Sequence, residues 1–185
     1  LIDLTKCDGC AGHESPLCVV ACRRERAASF PEPAQDQLRD YWPQKKHEDW
    51  SNKRHLTDRF TPYNWLFVQQ VQVGEHVLSL PRRCMHCDNP PCLKAAPEAV
   101  YKRDDGLVII DPEKAKGKKE IVDACPYDAI FWNEALNIAQ KCTGCAHLVD
   151  EGKLPHCVDL CATGGLRFGD EEDFADEITR AETML

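Results

Sequence analysis

The sequence predicts an α+β fold of short helices and strands, and three observations support this prediction. Short apolar runs of strand length alternate with segments of helical periodicity along the 185 residues. Residues 65–73 and 76–80 flank Gly74 and Glu75, which is the arrangement of a β-hairpin. The twelve cysteines recur in similar groups, which indicates an internal repeat.

Two further strands and a terminal helix complete the predicted elements. Residues 107–110 and 129–132 are short apolar runs and are predicted as strands. Asp170 is a suitable N-cap for an amphipathic helix over 170–185, which we expect to pack on this chain or on a partner. The apolar residues that recur there at helical spacing are Phe174, Ile178, Ala181 and Leu185.

A long polar stretch covers residues 24–65. We interpret it as an insertion that lies on a partner surface, with a solvated loop as an equally favoured alternative. Its prolines and tryptophans include Pro31, Pro33, Trp42, Pro43 and Trp50.

Composition excludes several classes of protein. Acidic residues outnumber basic residues by 31 to 23, for a net charge of −8, and nucleic-acid binding needs a clustered cationic surface. No apolar stretch approaches the roughly 20 residues of a membrane-spanning helix, so no span is expected. The first seven residues lack a basic segment followed by an apolar run, so we expect no export signal unless one has been removed.

The twelve cysteines allow three interpretations. A disulfide framework is typical of small secreted domains, but it does not call for repeated Cys-x-x-Cys pairs followed by further spaced cysteines. Zinc is the stronger rival, because zinc ribbons also use paired Cys-x-x-Cys. The arrangement of triplets and single cysteines favours the third interpretation, an iron–sulfur protein.

The cysteine spacing follows the bacterial ferredoxin pattern with insertions. In that pattern two residues separate the first three cysteines, three precede a fourth, and a proline follows. The triplet surrounds one cluster, whereas the fourth cysteine completes the other cluster of a pair. The four groups are Cys7, Cys10, Cys18 and Cys22; Cys84, Cys87 and Cys92; Cys125; and Cys142, Cys145, Cys157 and Cys161.

Four positions of the repeat lack their cysteine. Ala96 stands at the fourth position of the second group, and residues 125–126 are what remains of the third group. The triplet positions counted back from Cys125 hold Ala115, Lys118 and Ile121. All four positions belong to one cluster, so we expect that a whole site has been lost.

Three triplets and three single cysteines then remain, and they predict three [4Fe–4S] clusters. The second and third groups were partners because both lost ligands of the same site, so the first and fourth groups pair with each other. The predicted ligand sets are Cys7, Cys10, Cys18 and Cys161; Cys142, Cys145, Cys157 and Cys22; and Cys84, Cys87, Cys92 and Cys125.

This pairing predicts two interleaved ferredoxin-like halves. Residues 1–23 join 140–169 in the first half, and residues 80–139 form the second. Residues 24–79 contribute the insertion and the hairpin.

With these motifs in place, the chain resembles the iron–sulfur subunits of the molybdopterin oxidoreductase family, such as those of formate dehydrogenases, dimethyl sulfoxide reductases and polysulfide reductases. The loss of one cluster, with ACPYD as the remnant of the third group, is similar to the small subunit of tungsten or molybdenum formate dehydrogenases. The segments that carry the resemblance are LIDLTKCDGC, CMHCDNPPC, ACPYDAI and KCTGCAHLVDEGKLPHCVDLCATGGLRFGD.

The resemblance implies an electron-transfer subunit without catalytic residues. It implies a large catalytic partner that carries a bis-pterin tungsten or molybdenum centre, and a soluble acceptor such as a c-type cytochrome. We expect a periplasmic complex exported with that partner, with the cytoplasm as the alternative. Another oxidoreductase of the family, acting on polysulfide, thiosulfate or dimethyl sulfoxide, is an alternative, as are a free-standing carrier and a zinc-stapled interaction module.

Several polar residues lie beside predicted ligands. His86 is predicted to be a spacer, because the cysteines already complete three sites. His13 and His156 are expected at the surface, with hydrogen bonding toward sulfur as the alternative. Lys6 and Lys141 either raise a cluster's reduction potential through their charge or are ordinary solvated lysines.

Overall fold

A computed structural model describes residues 1–29, 53–134 and 136–183. The helices are α1 (Leu17–Ser29), α2 (Pro91–Ala95), α3 (Glu120–Asp123), α4 (Ala146–Asp150), α5 (His156–Asp159), a 3-10 turn (Glu171–Phe174) and α6 (Ala175–Thr183). The strands are β1 (Leu66–Val73), β2 (His76–Arg83), β3 (Val100–Lys102), β4 (Val108–Ile110), β5 (Ile130–Asn133) and β6 (Ile138–Lys141). The prediction of an α+β protein of short elements is confirmed. Within these ranges, no helix has the length and apolar character that a membrane span requires.

The predicted hairpin is confirmed. Strands β1 and β2 pair antiparallel, with Val73 opposite His76. Gly74 forms the turn between them at a φ of 59°, a left-handed conformation that glycine adopts without steric cost. Strand β2 is longer than predicted and ends at Arg83, so it delivers the chain directly to Cys84.

Two more antiparallel hairpins follow, and only one strand of each was predicted. Strand β4 pairs with β3, and β5 pairs with β6. All four residues of β6 are buried, although the segment contains Gln140 and Lys141 and therefore lacks the apolar run expected of a buried strand. Strand β6 ends immediately before Cys142, as β2 ends immediately before Cys84.

The beginning and the end of the chain lie against each other. Ile2 pairs with Leu166, and the amide of Asp3 donates to the carbonyl of Gly165 at 2.8 Å. Helix α1 packs against α5, and Leu166 lies in a core with Cys18 and Val19. These contacts bring the first cysteine group to the last one, as the predicted pairing requires.

A separate apolar core lies under the other two hairpins. Trp132 and Ile121 are fully buried there, and β4, α2 and α3 contribute to the same core. A third, aromatic core joins Tyr63, Trp65 and Phe131. The residues of the described chain are therefore held by several small cores.

Two predictions concern the less regular segments. A C-terminal helix is confirmed, but it begins at Ala175, and Asp170 caps the preceding 3-10 turn reciprocally with Asp173. Leu185, part of its predicted apolar side, lies outside the described residues. Helix α1 continues to Ser29, so the first residues of the predicted insertion are helical, while residues 30–52 of it lie outside the described chain.

Candidate metal centres

One cavity brings together four of the predicted ligands. Its volume is about 50 Å³, several times the roughly 10–15 Å³ that a single water needs. The walls come from α1, from the loop after β6 and from α5, so all three segments must be in place before the cavity exists. The thiols that line it are Cys22, Cys142, Cys145 and Cys157.

A second cavity, of about 20 Å³, contains another predicted set. Strand β2 leads into its first thiol, the start of α2 supplies its third, and the turn after α3 supplies its fourth. Pro90, Pro91 and Pro126 complete much of its apolar wall. The thiols that line it are Cys84, Cys87, Cys92 and Cys125.

The remaining four predicted ligands also lie near one another. A Cβ added to Gly165 would stand 3.3 Å from the Cβ of Cys7, so the segment after Cys161 runs directly along the first loop. Burial, followed by the charges of Cys161 and Cys10, raises the pKa of Cys7. Burial and then Cys10 raise the pKa of Cys18 to about 12, and Cys161 and Cys7 contribute to the same shift.

The environment of several of the buried thiols opposes thiolate formation unless a cation is present. Burial raises the pKa of Cys157 to about 12, and the neighbouring Cys142 adds to the shift. Burial and then Cys142 raise the pKa of Cys22 well above its ordinary value. Several buried thiolates in one place repel each other, so iron is a fitting counter-charge for these sites.

Backbone amides point at sulfur in each predicted set. The amide of Leu17 donates to Cys10 Sγ at 3.4 Å, that of Ala129 to Cys125 Sγ at 3.4 Å, and that of Gly144 to Cys142 Sγ at 3.3 Å. Although burial raises the pKa of Cys161, hydrogen bonds from Leu166 and Thr163 lower it overall. Hydrogen bonds to sulfur are one of the means by which proteins set cluster potentials.

The shape of the cavities favours iron–sulfur clusters over zinc. A structural zinc site draws four ligands to about 2.3 Å from a single point. Within residues 1–29, 53–134 and 136–183, no group of three or more His, Cys, Asp or Glu converges on a single metal ion. The thiols surround open volumes instead, which suits a cluster that brings its own iron and sulfide.

Three of the four positions at which the repeat lacks a cysteine lie in the protein interior. Ala96, Ala115 and Ile121 are each 0% exposed and belong to the same apolar core. Lys118 is partly exposed and its ammonium bonds the carboxylate of Glu98. Apolar packing therefore occupies the region in which the repeat would place four ligands.

Two cations lie between the cavities in a crossed arrangement. Arg83 precedes Cys84 but lines the first cavity, whereas Lys141 precedes Cys142 but lines the second. Lys141 is 3% exposed and donates to the carbonyls of Val108 and Cys142. The interpretation of Lys141 as a solvated lysine is therefore wrong, because the β6 hairpin buries it. Arg83 was not predicted, because the cavity that its side chain lines is set only when the hairpins assemble.

The other polar residues have varied surroundings. Lys6 is half-exposed and pairs with Asp3, which agrees with the solvated alternative. His13 is exposed, as expected of a surface residue. His156 binds Glu25 at 3.0 Å, and His147 of α4 binds the same carboxylate at 2.9 Å, so Glu25 ties α4 and α5 to α1 over the first cavity.

His86 occupies a more constrained place than a spacer requires. It lines the second cavity, and its Nδ1 accepts a hydrogen bond from the amide of Val108 at 2.9 Å. Burial, then Lys141 and Arg83, lower the pKa of His86 to about 2. The imidazole is therefore neutral at physiological pH.

Comparison with known proteins gives a consistent result. A model of the 4Fe–4S dicluster domain matches residues 75–171. The chain is 46% identical over 109 residues to the pyrogallol hydroxytransferase small subunit of Pelobacter acidigallici, covering 55% of this chain and 40% of that protein. It is 45% identical over 107 residues to the B component of the tetrathionate reductase of Salmonella typhimurium, covering 57% of this chain and 42% of that protein.

A longer match covers most of the sequence. The B component of the anaerobic dimethyl sulfoxide reductase of Escherichia coli is 32% identical over 169 residues, which are 91% of this chain and 71% of that protein. The chain thus spans about two fifths of the length of the first two relatives and most of the third.

Proposed function

The protein belongs to the 4Fe–4S dicluster domain family, and we propose that it is an electron-transfer subunit whose twelve cysteines hold three [4Fe–4S] clusters. The observation that carries this proposal is the pair of cavities, each lined by one of the four-cysteine sets that the repeat predicts. The third set, around Cys7 and Cys161, is supported by the contact between the first loop and the segment after α5.

When bound, a [4Fe–4S] cluster accepts and releases one electron. The chain's own residues would fix the position of each cluster and set its reduction potential. Amides donate to the ligand sulfurs, and Arg83 and Lys141 place positive charge beside the two cavities. Both features favour the reduced, more negative state, whereas the apolar walls reduce the access of water and oppose it.

The neighbouring thiols support a linear order of the three sites. After burial, the strongest influence on the pKa of Cys142 is Cys84. Cys142 lines the first cavity and Cys84 the second, so the two cavities are neighbours. Cys157 lies close enough to Cys18 to contribute to its raised pKa after burial and Cys10. The set containing Cys142 would therefore stand between the other two, which suits transfer along a single path.

Iron content tests the number of clusters. After subtraction of the iron on other subunits, the purified complex should contain about twelve iron atoms per copy of this chain, from four per cluster. About sixteen would mean that other ligands rescue a fourth site, and about eight would break the proposed pairing. Substitution of Cys125 by Ala offers a matched control, because it should affect the second cavity alone.

We propose that this subunit serves a large catalytic subunit with a bis-pterin tungsten or molybdenum centre, and that the substrate is formate. Support for a multisubunit oxidoreductase comes from relatives named as the B component or the small subunit of larger enzymes. Support for formate is the loss of a single cluster with 124–128 as its remnant, which resembles formate dehydrogenases. The relatives named above are designated for tetrathionate, dimethyl sulfoxide and pyrogallol instead.

Purification of the native complex separates these possibilities. Mass spectrometry would identify the large subunit, and reduction of a viologen dye by formate would test the substrate. Oxidation of reduced viologen by tetrathionate, dimethyl sulfoxide or polysulfide, without formate activity, would assign the chain to another member of the family. Recovery of this chain without any large subunit would favour a free-standing carrier.

The external electron acceptor is proposed to approach the second cavity. Met85 and Tyr127 line that cavity and are 61% and 51% exposed, so its rim is an accessible apolar surface. A small soluble protein such as a c-type cytochrome would suit this site, and we propose a periplasmic location for the complex. Cell fractionation tests the location, and recovery with cytosolic markers would overturn it.

A further inference from the structure

The residue before the second cysteine is glycine in two of the three ligand loops and histidine in the third. Gly9 and Gly144 stand directly before the second cysteine of their triplets, with φ of 72° and 64°. The corresponding residue of the remaining loop is His86, whose φ of 45° is also left-handed. A side chain is disfavoured in this conformation, so the loop geometry alone favours glycine. Histidine enters this conformation more readily than most residues, and unlike glycine it brings a ring that can make contacts.

The ring has one fixed orientation. Its Nδ1 accepts a hydrogen bond from the amide of Val108, in strand β4, at 2.9 Å. An accepting Nδ1 carries no proton, so the proton of the neutral imidazole is on Nε2. The backbone of β4 therefore selects both the orientation and the tautomer of His86.

The protonated Nε2 finds no hydrogen-bond partner among residues 1–29, 53–134 and 136–183, although the atom is buried. Buried polar atoms without a partner are uncommon and call for an explanation. The ring lines the second cavity together with Cys84, Cys87, Cys92 and Cys125. The occupant of that cavity is thus the available acceptor.

We propose that His86 donates a hydrogen bond from Nε2 to a sulfur of the cluster held by Cys84, Cys87, Cys92 and Cys125, and thereby raises its reduction potential. The inference rests on the proposed function of that cavity. Reduction adds one electron and no atoms, and the added negative charge strengthens the hydrogen bond. Ligation of iron by Nε2 is disfavoured, because a ligating Nε2 would place the ring proton on Nδ1, which accepts from Val108.

Two variants separate the hydrogen bond from the packing of the ring. His86→Asn tolerates a left-handed φ and can still accept from the amide of Val108, but it has no atom at the place of Nε2. His86→Gln places an amide N–H near that position. Both variants replace the aromatic ring with an amide, and they differ in how far the amide N–H reaches into the cavity.

The test is an EPR-monitored redox titration of each variant in the purified complex. The signal that disappears in Cys87→Ser identifies the cluster concerned. In His86→Asn, the equilibrium constant for its one-electron reduction should fall about tenfold, a shift of about 59 mV to lower potential, while His86→Gln should recover most of the change. The other two clusters should keep their potentials.

Other outcomes overturn the proposal in different ways. An unchanged potential in His86→Asn, or an equal fall in both variants, would contradict the proposed hydrogen bond. The proposal that this cavity holds a cluster would be unaffected. The proposed function itself would be overturned by two results together. Wild type and Cys87→Ser would give the same EPR signals, and the wild-type complex would contain about eight iron atoms per chain. If a variant fails to fold, pulsed EPR of the wild-type complex labelled with ¹⁵N-histidine decides, because the absence of any ¹⁵N coupling to the reduced cluster contradicts the proposal.

Discussion

The half of the molecule around Cys142 gathers eight thiols and relies on the packing of α1 against α5. The half around Cys84 gathers four thiols, and the rest of its interior is the apolar core that contains Ile121 and Trp132. Both halves are predicted to follow the same cysteine repeat. On that prediction, the difference between them is that buried apolar side chains fill the place where the second half would otherwise hold another cluster.

The largest expected effect comes from interrupting the first half. Cys142→Ser removes a proposed ligand of the proposed middle site, so electrons should no longer pass between the site at Cys7 and the site at Cys84. We expect turnover with the physiological acceptor to fall at least about a hundredfold. Without the middle site electrons must cross a longer gap, and a rate constant falls exponentially as its barrier rises. Steady-state assays with that acceptor measure the loss.

Cys87→Ser is the matched variant in the second half. It should also impair delivery to the acceptor, but the clusters at Cys7 and Cys142 should remain reducible by substrate. Freeze-quench EPR after addition of substrate distinguishes the two variants. If those two clusters also stay oxidised in an intact Cys87→Ser complex, the proposed order is wrong and electrons enter on the Cys84 side.

The next prediction concerns the apolar core of the second half. Ile121→Ala removes a fully buried side chain and should lower the free energy of unfolding by about 2–5 kcal/mol. Iron content should remain at its wild-type value, since no ligand is altered. Val77→Ala is the control, because Val77 is 56% exposed and its truncation should cost less than about 0.5 kcal/mol. Loss of iron in properly folded Ile121→Ala would show that packing of the apolar core and binding of the cluster are not separable in this half.

A smaller effect is expected in the ligand loop of the first half. A Cβ at Gly144 would lie 2.6 Å from Leu107 Cδ2, and Leu107 is only 4% exposed, so in Gly144→Ala either the buried Leu107 side chain or the loop between Cys142 and Cys145 must shift. Gly106→Ala is a closely matched control, because Gly106 also has a positive φ but has open space around it. Iron retention during gel filtration should decrease in Gly144→Ala alone, and equal retention in both variants would contradict the steric argument.

The smallest predicted effect tests the crossed cations. Lys141→Met should lower the potential of the cluster at Cys84 by about 60 mV, corresponding to a tenfold change, although Lys141 is adjacent in sequence to Cys142. Arg83→Met should act mainly on the cluster at Cys142. Redox titrations of both variants check the crossing, and the opposite pattern would mean that the cations act on their sequence neighbours.

Much of the molecule could be predicted because its chemistry is local. Cysteine spacing indicated the two sets that line cavities, and the turn at Gly74 indicated the first hairpin. Strand β6 was not predicted, because Gln140 and Lys141 interrupt its apolar character and their burial depends on partners distant in sequence. The same limitation applies to Arg83, whose surroundings are decided only when the hairpins assemble.

His86 illustrates a different limit. Its position between two cysteines suggested a spacer, and nothing in the sequence shows which atoms its ring meets. The bond from the amide of Val108 joins residues 22 positions apart and exists only after β4 has formed. A comparison of the loops could have drawn attention to it, because histidine stands where the other two triplets have glycine.

The apolar core around Ile121 also has a consequence for biogenesis. A hydrophobic interior forms without metal, so the second half can collapse around Ile121 and Trp132 while the polypeptide is still free of iron. Cys92 belongs to that core and Cys125 packs against it, which would hold two of the four thiols in place for cofactor insertion. The core of the first half instead consists in large part of cysteines and joins segments far apart in sequence. The order of maturation would therefore begin at the site of Cys84 and end at the sites of the first half.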